Sequence, residues 1–163
     1  MSILSMCQWL QDTDIGTSIR ESIWVFPIIE GTHVLALSIS VGLLMVSDLR
    51  LMGYIMKRRP VTEVYEQIKP WMFAGFAIMV ITGIFLFWCQ AVKAYNSIFF
   101  KTKIVLLVVA AINAIAFERG IYRKVGQWDN AFVPPLEARV AGWASLILWA
   151  AIITCGRTMA YTF

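Results

Sequence analysis

Apolar residues along this chain come in long unbroken runs, not in the alternating or three-to-four-residue rhythm of a water-soluble fold. Four runs stand out, at about 23–47, 71–92, 103–118 and 136–161. A helix crossing a bilayer needs about 20 residues, so these four with short connections use nearly the whole chain. The pattern predicts an all-α fold: an integral membrane, up-down four-helix bundle in one domain over residues 1–163. A shorter apolar stretch precedes it, with Ile3, Leu4, Met6, Cys7, Trp9 and Leu10. It is too brief to span, and is expected to lie on the membrane surface as a short interfacial helix capped by Ser2. Thr13 to Thr17 is expected to break it, with Gly16 as the pivot. The stretch lacks a basic leading region, and Asp12 and Asp14 follow it where a signal peptide would have a small-residue cleavage site.

Local signals punctuate the spans. Trp24 sits at the start of the first, Pro27 falls within its opening turns, and Asp48 and Arg50 close it. Pro70 is a favoured first helical residue for the second, and Pro134–Pro135 precede the fourth. Three pairs of small residues four apart are expected to let helices approach: Ser38 with Gly42, Ala110 with Ala114, Ala138 with Gly142. Asn113, deep in the third span, is expected to hydrogen-bond a neighbouring helix.

Composition agrees with the pattern. The 163 residues are 60% hydrophobic and 15% charged, against about 45–50% and about 25% in soluble domains. The mean hydropathy is +0.72. The net charge of +4 comes from Lys and Arg at the ends of apolar runs, which suits headgroups and not nucleic acid. The loops joining spans one to two and three to four, with the flanking span ends, carry nine basic residues: Arg50, Lys57, Arg58, Arg59, Lys69, Arg119, Arg123, Lys124 and Arg139. The other side carries five: Arg20, Lys93, Lys101, Lys103 and Arg157. The positive-inside rule therefore predicts both termini outside the cytoplasm.

Chemistry concentrates on the first span. A charged side chain at a membrane helix centre costs about 2.5–3.5 kcal/mol on insertion scales, so Glu30 is a candidate by default. His33 follows three residues later on the same face. Both are placed roughly 10–15 Å from the start of the span at 1.5 Å per residue. Arg157, near the same end of span four, is the natural counter-ion, with Lys101 and Lys103 further candidates. A purely structural reading has Glu30 and Arg157 as a buried ion pair that sets register.

Other readings need more than the chain offers. Glu30-x-x-His33 has the spacing of di-iron bundles, but one copy occurs, and only a homodimer sharing the site completes it. His33 is the only histidine, so bis-His haem ligation within one chain is excluded. A five-coordinate haem b remains open, as does a quinone held by His33, Glu30, Trp24 and Trp88. Glu30 and His33 are also the candidate metal or proton ligands of a transport component. Cys7, Cys89 and Cys155, with Met6, Met159 and His33, are soft ligands suited to Cu(I), without a C-x-x-C to organise them. No G-x-S-x-G, H-E-x-x-H, Walker loop or G-x-G-x-x-G occurs, so hydrolytic and nucleotide chemistry lack their motifs.

The run from Ile19 through Pro27, then Glu30, His33-Val34-Leu35 and Asp48-Leu49-Arg50-Leu51, resembles a family of small bacterial inner-membrane proteins of unknown function. Lys103, Asn113-Ala114, Gly156-Arg157 and Ala160-Tyr161 fit it too. More distantly, the layout is similar to copper-resistance and b-type cytochrome membrane proteins, though it lacks the several histidines of the cytochromes. The resemblance implies four helices in the bacterial inner membrane and marks Glu30, His33 and Arg157. The resulting expectation is an accessory membrane subunit and not an enzyme. It would bind haem b or quinone through His33, Glu30, Arg157, Trp24, Trp88 and Lys103, as a homo-oligomer or with other membrane subunits. The alternatives are a metal, proton or small-solute transport component and a structural scaffold.

Overall fold

A computed structural model describes residues Ser2 to Tyr161. Seven α-helices follow one another: α1 (Ile3–Gln11), α2 (Asp14–Glu21), α3 (Val25–Leu51), α4 (Val61–Cys89), α5 (Ala91–Asn96), α6 (Ile98–Ala116) and α7 (Leu136–Tyr161). Among the described residues there is no strand. Four of these helices, α6 with its continuation to Gln127 among them, are long and apolar enough to cross a membrane. They alternate in direction. We refer to the end bearing α1, α2 and α5 as the capped end, and the opposite one as the loop end.

The span boundaries differ from the sequence reading in informative ways. The second helix begins at Val61, not at Pro70, which lies inside α4. Pro70 removes one backbone donor, yet Val61, Val64 and Tyr65 bury their side chains and carry the helix past it. The third begins five residues earlier than expected, where Ser97 accepts a hydrogen bond from Phe100 N. Past Ala116 it continues as a π-turn (Phe117–Ile121) and a 3₁₀ turn (Tyr122–Gln127).

The expected break at Thr13 to Thr17 is narrower than predicted, because Thr13 caps α2. Its hydroxyl donates to Leu10 O (2.7 Å) and accepts from Gly16 N (3.3 Å) and Trp88 Nε1 (2.9 Å). That uses its one proton and both lone pairs. Gly16 serves close approach instead of pivoting, since a Cβ there would lie 2.6 Å from Gln11 O. Gln11 in turn accepts from Val92 N (3.2 Å), so α1 and α2 are stapled onto α4 and α5.

α3 packs along α4, α7 packs on α3 and on α6, and ring pairs are among the contacts that join α4 to α6 and its continuation. Phe87 stacks on Phe100 at the capped end (5.6 Å) and Tyr65 meets Phe117 edge-on at the loop end (6.2 Å). Small residues set the closest contacts: Gly75 of α4 against Ser40 of α3, and Gly142 of α7 against Asp48 O. Of the three expected small pairs, Ala138 with Gly142 is buried, Ser38 with Gly42 is exposed, and only Ala110 of the third is buried. Asn113 donates to Ala141 O (3.1 Å), joining α6 to α7 as expected.

At the loop end, Arg50 gathers the connections. Its guanidinium donates through Nε and Nη2 to Arg59 O (3.0 and 2.8 Å), and through Nη2 to Ala131 O (3.3 Å). Asp129 holds Thr62 by its backbone N–H (2.8 Å) and hydroxyl (2.7 Å).

Candidate functional site

His33 lies two turns into α3 and is half-buried against α4. Its Nδ1 is 3.0 Å from Thr82 Oγ1. The Thr82 hydroxyl donates its single proton to Ile78 O at 2.7 Å, one turn back along α4. With the hydroxyl proton on its own helix's carbonyls, the arrangement that satisfies both groups has Nδ1 carrying hydrogen and donating to Thr82. In the neutral ring, Nε2 keeps its lone pair free for a ligand. Gly83 makes room beside it: a Cβ there would stand 3.2 Å from His33 Cε1.

Lys103 approaches from α6. Its side chain runs along Gly156 of α7, where a Cβ would be 3.6 Å from Nζ. The ammonium is within electrostatic reach of the His33 ring and the Cys155 thiol. Among the described residues it makes no hydrogen bond or ion pair. All four long helices thus contribute to one polar cluster: His33, Thr82 with Gly83, Lys103, and Cys155 with Gly156.

The remaining predicted site residues lie elsewhere. Glu30 is exposed and forms no hydrogen bond or ion pair among the described residues. Arg157 is also exposed, and its Nη2 donates to Tyr161 Oη (2.6 Å) with the guanidinium 4.9 Å over that ring. The two do not pair within the chain, because each helix turns its charge outward. Trp24 precedes α3 and is exposed. Trp88 is occupied by Thr13. Lys101 lies 4.9 Å over Tyr95. Of the six predicted cofactor-binding residues, the fold brings His33 and Lys103 within electrostatic range of each other and leaves the other four apart.

Thr82, Gly83 and Gly156 were missed. A polar-plus-glycine pair inside an otherwise apolar span, level with His33, was the available signal for the first two. The three thiols are free, with Cys7 and Cys89 buried and Cys155 half-buried. Among the described residues no three His, Cys, Asp or Glu side chains gather as a metal would need.

The tautomer is directly testable, because the chain has one histidine. ¹⁵N-histidine labelling will give a single ring with Nδ1 protonated and Nε2 bare. Thr82→Val removes the acceptor and will turn that spectrum into a mixture of tautomers. An Nε2-protonated ring in the parent protein would contradict the assignment.

These features define a class: an all-helical protein with four membrane-capable helices around a polar cluster, consistent with a multi-pass membrane protein. The particular family follows from the sequence match. Residues 20–162 match DUF6644, a family of unknown function, and the chain belongs to it. No curated protein and no solved structure matches the chain.

Proposed function

We propose that this protein is a small accessory subunit of the bacterial inner membrane whose His33–Lys103 cluster binds a lipid-borne redox cofactor, a quinone. The observation that carries the reading is the half-buried Lys103, which makes no hydrogen bond or ion pair among the described residues, in the same bundle as an imidazole held at Nδ1 by Thr82. Ionisable groups inside a membrane bundle are costly unless something polar meets them. A quinone headgroup does so from both sides of its chemistry. Lys103 would donate to a carbonyl oxygen, and a His33 ring nitrogen without a proton would accept the hydroxyl of the reduced form. The distribution of basic residues, nine towards the loop end and five towards the capped end, supports a reading with the loop end cytoplasmic and this cluster in the outer half of the membrane.

Haem b is the second reading, and the Thr82 hydrogen bond favours it. Metal-ligating histidines characteristically donate their second ring N–H to a fixed acceptor, leaving the other nitrogen for the iron. One experiment separates the two. Protein purified in mild detergent from its native host is scanned oxidised and dithionite-reduced, then extracted for quinone chromatography. A near-stoichiometric quinone, reduced about tenfold in His33→Leu and in Lys103→Met, corresponding to about 1.4 kcal/mol each, is the expected result. A reduced-minus-oxidised haem band lost in His33→Leu would select haem. Neither signal would sink the cofactor reading and leave transport or scaffold.

A further inference from the structure

We infer that the surface carrying Glu30 and Arg157 is where a second copy of this chain docks, the carboxylate of each protomer pairing with the guanidinium of its partner. Both charges are exposed. Glu30 is five residues into α3 and Arg157 four residues before the end of α7, so each lies roughly 6–8 Å from the capped end of its helix. An acid and a base at one depth, on adjacent helices of one bundle, are complementary to each other and yet unjoined within the chain. Among the described residues, Arg157 meets Tyr161, whose hydroxyl accepts the guanidinium N–H, and no carboxylate. An exposed carboxylate within a membrane-capable helix is costly to leave unpaired, so Glu30 calls for a cation from outside the protomer.

The surrounding surface suits another helix. On α7, Trp143, Ile147, Ala150, Thr154, Arg157 and Tyr161 are all exposed, and their steps of four and three keep them on one face. On α3, Gly31, Ser38 and Gly42 are exposed beside Glu30, with the same spacing between Ser38 and Gly42 as in small-residue membrane contacts. A Cβ built at Gly31 or Gly42 meets nothing within 4 Å, so these glycines make no close packing inside the protomer. Two-fold symmetry does the rest. Because α3 and α7 lie side by side, an axis between copies sets α3 of one against α7 of the other, and the charge pair forms twice. This inference is independent of what the His33–Lys103 cluster binds.

Charge exchange tests it. The full-length protein is reconstituted at low density in liposomes of bacterial polar lipid, and stoichiometry is read by single-molecule photobleaching. The parent protein is expected to be dimeric. Glu30→Arg alone and Arg157→Glu alone should each weaken association about 10- to 100-fold, and Glu30→Gln about tenfold. Co-expressing the two reversal variants with different tags should restore dimers, all of them mixed. In a mixed dimer both intermolecular pairs are again opposite in sign, whereas within each chain the charges remain alike. Far-UV circular dichroism and the single-histidine ¹⁵N spectrum confirm that each variant is folded. A monomeric parent protein, single variants that dimerise like the parent, or a folded pair that fails to form mixed dimers would each overturn the proposal.

Discussion

Replacing Arg50 with alanine is expected to destabilise the protein by about 3–5 kcal/mol, since a hydrogen bond from a charged group contributes about 1.5–3 kcal/mol and two carbonyl oxygens lose theirs. Arg50 is only 1% exposed, and its side chain makes three hydrogen bonds to two carbonyl oxygens. Those carbonyls, of Arg59 and Ala131, belong to different connections, so one guanidinium closes both the α3–α4 and the α6–α7 turn. Without it the oxygens lose charge-assisted donors and the loop end loses its tie. The midpoint of thermal unfolding in detergent should fall by about 10 °C. Arg50→Lys should recover less than half of the loss, because an ammonium on a flexible stem cannot reproduce the planar fork. An Arg50→Ala midpoint within about 2 °C of the parent would show that the clamp contributes little.

The second large effect sits at the α3–α4 crossing. Gly75 faces Ser40, and a Cβ at Gly75 would overlap the Ser40 hydroxyl. Ser40 is 0% exposed and its hydroxyl already donates to Ala36 O at 2.8 Å, so it has nowhere to move without breaking that bond. Gly75→Ala should cost about 1–3 kcal/mol by overpacking, and Gly75→Val more. The cause can be isolated. Ser40→Ala removes the clashing oxygen and leaves Cβ to Cβ contact at 3.4 Å, so Gly75→Ala should be far milder on that background. The coupling between the two substitutions should reach about 1 kcal/mol in a double-mutant cycle followed by denaturant titration. Additive effects would mean that the helices shift apart freely and that Gly75 does not set their distance.

The same residues mark how far the sequence could be read. Ser40 and Gly75 carry no signal of their own, for a serine and a glycine in two apolar runs are common, and only the crossing makes one specific to the other. Arg50 reads as a boundary charge at the end of a span. Its partners are backbone carbonyls 9 and 81 residues away, which have no sequence signature. Pro70 misled for the opposite reason. It is a good start signal, but the residues before it bury enough side chain to keep the helix going.

At the candidate site the same distinction holds. His33 and Lys103 were identifiable because polar groups in apolar runs are costly and few, and cost depends on residue type and depth alone. Glu30 and Arg157 were identified on that ground too, and their depths do agree. Whether they face each other depends on the rotation of α3 and α7 about their axes.

What the sequence determined by itself is the class of fold: apolar runs of spanning length require helices, and their number sets the bundle. It also determined which polar residues sit at which level, since position along a helix is fixed by residue count. Tertiary structure alone decided which face of each helix turns inward. It gathered His33, Thr82, Lys103 and Gly156 into one cluster and turned Glu30 and Arg157 outward. The physical reason is that these spans are apolar on every side, as lipid permits. No hydrophobic stripe fixes their rotation, and it is set by a few small-residue contacts and hydrogen bonds between helices far apart in sequence.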